Sequence, residues 1–300
     1  MSNMSYAVGV DIGGTHIEGV CINPDMRIIK EKRIRMPARL NKKLVISKVL
    51  QCLDLLCGDE GKDLLGIGVG VPGVIKGGVV KKSPNLPFLD STDFRSLISG
   101  KFKTKVAIDN EVNCMAFGES VSRKEKNVVV LTLGTGIGGG LVINGKVHRG
   151  RSFAGEIGHM TIKFDGSKCV CGNTGCFEEY VSARSVRRLS TKLLGKGMEP
   201  HEVYELAEKG NEQAKLVWKE YGKMLGVGLA NLCFILDPAI IVLGGGISKA
   251  CKYFEDPMLA EMKKRMFIPL PKIVVGKSNA NAYGAACMAL KNKSSRDDNL

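Results

Sequence analysis

The sequence predicts an α/β protein built from two related halves with a cleft between them. Three observations carry that reading. Tyr6–Ile12 is an apolar run suited to a buried strand, Gly13-Gly14-Thr15 supplies a turn, and Ile17–Ile22 reads as a returning strand. The same design recurs at Val128–Leu133, a glycine-rich turn over Gly134–Gly140, and Leu141–Ile143. Around both modules apolar residues fall at helical spacing, so strands and helices alternate as layered α/β architectures require.

The remaining elements follow in chain order. Leu44–Leu56 has helical spacing, and Gly66–Val71 is a short apolar strand stopped by Pro72-Gly73. Val106–Ile108 reads as a strand and Glu111–Val121 as a helix. Asn144-Gly145 marks a hairpin turn. Ala214, Val217, Trp218, Tyr221, Leu225, Gly228 and Leu232 recur at three- and four-residue steps, the core-facing side of a long helix. Ala239–Leu243 is a buried strand running into Gly244-Gly245-Gly246, and the polar end Lys291–Leu300 reads as a frayed tail.

Composition narrows the class. Three hundred residues, 44% hydrophobic and 25% charged, suit one large or two medium soluble domains. The longest apolar run, Leu225–Leu236, is interrupted by Asn231 and falls short of a membrane span. The polar start Met1–Tyr6 does not resemble a signal peptide. Cys21, Cys52, Cys57, Cys114, Cys233 and Cys287 sit singly in apolar segments, as buried free thiols do. A reducing cytoplasmic setting is expected. The net charge of +14 raises nucleic-acid binding, yet the basic residues are dispersed at Lys30–Arg35, Lys101–Lys105 and Lys263–Arg265, without an aromatic-laced stripe. Solvated faces with some attraction for anionic nucleotides are expected instead, with no nucleic-acid partner and no membrane partner.

Four stretches carry chemistry. His159, Cys169, Cys171 and Cys176 lie within eighteen positions among turn-forming residues. Four nitrogen and sulfur donors suit a closed, structural tetrahedral zinc site, against the alternative of ordinary buried thiols. Asp11-Ile12-Gly13-Gly14-Thr15 follows a strand. Its glycines permit positive φ and close approach of a phosphate to backbone N–H groups, and Asp11 offers hard oxygens for magnesium. A plain hairpin turn would use the same residues. Gly134, Gly136 and Gly139 formally match G-x-G-x-x-G, but a strand follows where the dinucleotide motif needs a helix. Gly134, Thr135 and Gly136 are therefore read as a second phosphate-gripping turn, partner to the first.

Taken together and in this order, Asp11–Thr15, Gly134–Gly140, Glu156-Ile157-Gly158-His159, the cysteine cluster and Gly244–Gly246 resemble the ROK family (repressors, open reading frames, kinases) over residues 6 to 291. The resemblance implies an actin-like (ribonuclease H-like), duplicated two-lobed fold with a small zinc-binding insertion. It places an N-terminal lobe with sugar and phosphate loops at 1–120 plus 281–293. A C-terminal lobe with the zinc and nucleotide sites falls at 121–280, and a disordered tail at 294–300. It implies transfer of the ATP γ-phosphoryl group to the 6-hydroxyl of an aldohexose, with Mg2+, structural Zn2+ and a homodimer. Gly13–Thr15, His16, Ser83–Pro87 and Cys171–Cys176 look most like D-allose kinases, with N-acetylglucosamine kinases, glucokinases and fructokinases as near alternatives. By the same resemblance Asn85, Asn110, Glu156, His159 and Glu178 would hydrogen-bond the sugar hydroxyls. His159 would also ligate zinc through its other ring nitrogen. Asp11, Gly13–Thr15 and Gly134–Gly136 would hold phosphates, while Gly244, Gly245 and Gly284–Ala286 would flank the adenosine.

One residue departs from that pattern. Where the family carries an Asp after Asn110 as general base, this chain has Glu111, with Asp109 nearby as a possible substitute. A carboxylate suffices chemically, because phosphoryl transfer depends chiefly on positioning and electrostatics. The extra methylene still displaces the oxygens by more than about 1 Å, and such a shift can cost roughly 10²-fold. A non-catalytic sugar-sensing relative of the family repressors is therefore the rival reading. Only ten residues precede Asp11, too few for the helix-turn-helix of such repressors, which argues for the kinase. An actin- or chaperone-type ATPase is a third class, but it gives no reason for the Cys/His cluster.

Overall fold

The computed structural model describes residues 5–57, 63–277 and 279–291. They divide into two compact units. The first holds the chain through Lys126, Gly140–Phe153 and the residues from Lys277 on; the second holds Asn127–Gly139 and Ala154–Gly276. Of the tail expected at Lys291–Leu300, Lys291 ends the last helix and the rest, including 294–300, lies outside the described residues.

In chain order the elements are β1 (Tyr6–Ile12), β2 (His16–Ile22), β3 (Ile28–Arg35), α1 (Lys42–Cys57), β4 (Leu64–Val71), β5 (Val74–Lys76), β6 (Val79–Lys82), α2 (Phe94–Phe102), β7 (Val106–Asn110) and α3 (Glu111–Arg123). There follow β8 (Val128–Leu133), β9 (Ile137–Ile143), β10 (Lys146–Val147), α4 (Glu178–Val181), α5 (Ala183–Leu194), α6 (Pro200–Glu208) and α7 (Glu212–Leu236). The chain closes with β11 (Ile240–Gly244), α8 (Cys251–Arg265), β12 (Lys272–Val275) and α9 (Ala280–Lys291).

The first unit is a five-stranded sheet of order β3-β2-β1-β4-β7. β1 pairs antiparallel with β2 but parallel with β4, and β4 runs parallel to β7. Side chains of a strand alternate between its two faces. Accordingly Val8, Val10 and Ile12 join Ile67, Val69 and Val71 in a core with Val45, Val49 and Leu53 of α1. On the other face Ala7 packs with Ala282, Ala286 and Cys287 of α9. That face admits a helix only because its strands are nearly bare. A Cβ on Gly9 would lie 2.0 Å from the Ala282 carbonyl oxygen, and one on Gly68 would lie 1.9 Å from that of Ala285. Gly284 meets α3 as closely, 1.7 Å from the Cys114 carbonyl by the same construction. Gly284, Ala285 and Ala286 are thus buried packing residues, which corrects their expected place beside an adenosine.

In the second unit β11 lies between β8 and β12 and is parallel to both. α7 is the long helix the spacing predicts. Its Trp218 and Tyr221 form a buried aromatic cluster with Phe254 of α8, at ring separations of 5.3–6.2 Å. Two readings shift. The glycine-rich turn ends at Gly136, and Gly138–Gly140 belong to β9. There a Cβ on Gly139 would lie 2.2 Å from the Gly155 carbonyl, so the glycines provide room rather than a bend. The basic run at Lys30–Arg35 is a solvated face as expected, but on β3, an edge strand whose exposure hides any alternation.

The glycine seam predicts opposite signs for one substitution. Gly68→Ala should destabilise by about 3 kcal/mol or more, because the Ala285 backbone that the new Cβ would meet cannot yield. Gly100→Ala, in α2 with nothing within 4 Å of its Cβ position, should stabilise by about 0.5–1 kcal/mol. Urea unfolding of the two variants checks both.

Candidate active site

The first unit gathers its carboxylates by register. Parallel strands β1, β4 and β7 end along one edge, where Asp11 pairs with Gly70, Gly70 with Asp109, and Val71 with Asn110. Gly70 leaves the space they need: a Cβ there would sit 3.1 Å from Asp11 Oδ1 and 3.4 Å from Glu111 Cα. Asn110 caps α3, its side-chain oxygen accepting from the N–H groups of Val112 (2.8 Å) and Asn113 (3.2 Å). Its Nδ2 donates to the Gly73 carbonyl (3.1 Å) and to Glu111 Oε2 (2.7 Å). Two donors and two acceptor sites are the whole capacity of a carboxamide. This arrangement therefore leaves Asn110 no group for a sugar hydroxyl, contrary to the sequence-based expectation. It orients Glu111, which stands in the first turn of α3, where the helix dipole favours a carboxylate.

Asp109 is equally committed. Oδ1 accepts from Asn110 N (2.8 Å) and Asn113 Nδ2 (2.9 Å), while Oδ2 accepts from Arg149 Nε (2.8 Å) and Nη2 (2.5 Å). All four lone-pair positions are used, so Asp109 is not placed to take a proton from a substrate. Asp11 is the opposite case. Its Oδ1 is buried without a hydrogen-bond partner. Burial pushes its pKa up to about 7, with Asn281 opposing and Glu18 adding to the rise. A buried carboxylate oxygen lacking a partner fits a hard divalent cation such as magnesium.

The turn after β1 is built for access. Gly13 N donates to the His16 carbonyl at 3.0 Å, and the N–H groups of Gly14 and Thr15 make no backbone–backbone bond among the described residues. Neither Gly13 nor Gly14 adopts positive φ, so the expected role in chain handedness does not hold. Gly14 instead has nothing within 4 Å of its Cβ position, leaving the amides open. Asn85 is exposed in the loop before Pro87, and no hydrogen bond joins it to Asn110 or Glu111 among the described residues.

The second unit brings its two glycine turns together. Gly244 is in register with Thr132, so Gly134-Thr135-Gly136 and Gly245-Gly246 follow the carboxyl ends of adjacent parallel strands, where α/β sheets commonly bind ligands. Gly245 has φ 79°, and a Cβ there would lie 2.4 Å from the Leu133 carbonyl oxygen. Glu178 reaches the first turn. Its Oε2 accepts from Ile137 N at 2.9 Å and its Oε1 from Arg184 at 3.1 Å.

His159, Cys169, Cys171 and Cys176 present donor atoms all within 4.8 Å of one another. Cys169 Sγ is 3.9 Å from His159 Nδ1, and Cys171 Sγ is 3.7 Å from Cys176 Sγ. A tetrahedron with zinc–sulfur bonds of about 2.3 Å has edges of about 3.8 Å, so this donor set fits zinc. His159 turns Nδ1 to the sulfurs and Nε2 toward Glu156, at 4.0 Å. The knot is seated by Phe177. Its N–H donates to the Met160 carbonyl at 2.8 Å, and its ring fills a notch on α7 where a Cβ on Gly228 would lie 2.2 Å away. Sequence reading placed Gly228 on the core face but missed this pairing, and it missed Arg149 and Arg184, whose partners no local pattern announces.

Asp11 yields a signed pH prediction. A raised folded pKa means the carboxyl's contribution to stability is full below about pH 4 and lost as pH rises through about 7. Asp11→Asn should therefore be more stable than the parent at pH 8, by at most about 4 kcal/mol, and melt higher, with the gap closing toward pH 4. Thermal melts across pH, without nucleotide or metal, test this.

Comparison with known proteins places the chain. The ROK family model matches residues 7–292. An N-acetyl-D-glucosamine kinase of Photobacterium profundum is 34% identical over 94% of this chain and 99% of its own length. A xylose repressor of Caldicellulosiruptor bescii is 30% identical over 94% of this chain and 77% of its own. Among solved structures, a ROK hexokinase from Thermus thermophilus superimposes with a TM-score of 0.83 at 27% identity, over 94% of this chain and 96% of that one. A ROK glucokinase from Streptomyces griseus, solved with glucose and AMPPNP, gives 0.76 at 27%, over 95% and 99%. The chain belongs to the ROK family.

Proposed function

We propose that this chain is an ATP-dependent hexose kinase that transfers the γ-phosphoryl group to the 6-hydroxyl of an aldohexose, D-allose or glucose-like. The observation that carries the reading is the convergence of Asp11 and the oriented Glu111 at the carboxyl ends of β1 and β7, beside an open-amide turn. Relatives named as N-acetyl-D-glucosamine kinase and glucokinase support the reaction class. They also keep N-acetylhexosamines within the substrate range.

In this reading Glu111 accepts the proton of the attacking hydroxyl, whose oxygen bonds to the γ-phosphorus as ADP departs. Asn110 holds the Glu111 carboxylate, and Asp109 holds Asn110. The open amides of Gly14 and Thr15 on the first unit, and the Gly134–Gly136 turn on the second, would cradle phosphate oxygens. Gly244 and Gly245 would lie by the adenosine. For the sugar, Asn85 of the first unit and Glu156, His159 and Glu178 of the second would supply hydrogen-bonding groups. Asp11 would hold magnesium, directly or through water, and bound magnesium supplies neutralising charge for the phosphates. His159, Cys169, Cys171 and Cys176 would hold a structural zinc that fixes the segment carrying Glu156.

A second reading, a sugar-binding relative without turnover, is favoured by two observations: Glu111 stands where the family resemblance implies an Asp base, and xylose repressors are among the relatives. Incubation with ATP and a panel of allose, glucose, mannose, fructose and N-acetylhexosamines separates the two. Sugar-dependent ADP release is expected, and Glu111→Gln should lower it by about 10²–10⁴-fold. A sugar that binds in calorimetry yet never releases ADP would favour the second reading. Elemental analysis of tag-free protein should find one zinc per chain, and Cys171→Ser should lose both the metal and thermal stability.

A further inference from the structure

Asp109 is only 6% exposed; it lies in register with Gly70, on whose other side Asp11 stands, and two positions before Glu111. Their crowding is visible at Cys114, whose thiol is pushed well up by burial first and then by Asp109, Asp11 and Glu111, with Arg149 the cation opposing them. Arg149 follows the short strand β10, forty residues from Asp109, and directs Nε and Nη2 onto the same oxygen, Oδ2. From there the chain of contacts is continuous. Asp109 Oδ1 receives the Asn110 backbone N–H and the Asn113 side chain, and Asn110 Nδ2 reaches Glu111 Oε2.

We propose that Arg149 is a positioning residue for phosphoryl transfer: it neutralises Asp109, so that Asp109 anchors the β7–α3 turn and Glu111 alone serves as base. The inference rests on the kinase reading with Glu111 as base. Its physical ground is the asymmetry of buried pairs. Removing one partner leaves an uncompensated buried charge, whereas neutralising both costs far less. Without Arg149, the Asp109 carboxylate faces Glu111 unpaired and must draw its compensation from Asn110 and Asn113, the residues that set the turn. Arg149 itself is half exposed, so losing Asp109 returns its charge to water at little cost. The two single deletions are therefore unequal, and deletion of both should repair the worse one.

The test uses the full chain and whichever sugar the parent phosphorylates. Arg149→Met should lower kcat about 10²-fold, with KM for sugar and for ATP each changed less than about threefold, because only an orientation needed in the transition state is lost. Adding Asp109→Asn to Arg149→Met should restore kcat about tenfold or more, since a neutral carboxamide needs no counter-charge. A merely structural Arg149 would show no such rescue. Should Arg149→Met not fold, Arg149→Gln, which keeps one donor for Asp109, is measured with and without Asp109→Asn in the same way. Parental kcat in the single variant, or a loss that Asp109→Asn fails to relieve, overturns the proposal while leaving the kinase reading intact. A parent that turns over no sugar removes the kinase reading, and this role for Arg149 with it.

Discussion

The hydrogen bonding of Asp109 fixes the geometry on which the first unit's chemistry depends. Four donors converge on one buried carboxylate, and each belongs to something that must be held: a backbone amide at the helix start, a side chain one turn along α3, and two nitrogens of an arginine from a distant loop. A carboxylate in so dry a position is tolerable only because every acceptor site is filled and its charge is matched. That saturation makes it a good anchor and a poor base. The neighbouring Glu111 receives the Asn110 carboxamide and stands in the first turn of α3, where the helix dipole favours its charge.

The second unit solves a similar problem by different means. Its candidate metal ligands lie on a loop with little secondary structure, so position must come from elsewhere. Left-handed Gly172 and Gly175 allow the tight turns between the cysteines. Isolated bridges from Thr161 to Cys176 and from Lys168 to Thr174 stitch the loop to itself. Phe177 then drives a ring into the notch at Gly228 on the longest helix, which transfers the rigidity of the aromatic core to the knot. A metal on four converging donors would complete what the packing begins.

Much of this was legible in the residues. Strands β1, β2, β4 and β8 and helices α1, α3 and α7 carry periodic apolar patterns, and such patterns survive whatever the tertiary context. The Cys/His cluster was legible because donor type and spacing are local properties. What could not be read were choices made across the fold. Arg149 and Asp109 lie far apart in sequence, and nothing near either names the other. The saturation of Asn110 depends on Gly73, a residue read only as a stop signal for β4. The glycines of the turn after β1 are read from sequence as giving both positive φ and close approach to backbone amides; Gly13 and Gly14 do not adopt positive φ, and Gly14 leaves the space open. Gly284–Ala286 were assigned to a ligand, although small residues there serve the close approach of α9 to β4 and α3. Glycine and alanine state that something comes near, and only the fold states what.

The account depends on Glu111 acting while Asp109 remains an anchor. A crystal structure of the chain with its sugar and a non-hydrolysable ATP analogue tests this most directly. The account predicts a Glu111 carboxylate oxygen within about 2.6–3.2 Å of the acceptor hydroxyl, with Asp109 still bound to Arg149 and Asn113. A sugar hydroxyl resting on Asp109, with Arg149 turned away and Glu111 facing elsewhere, would contradict it.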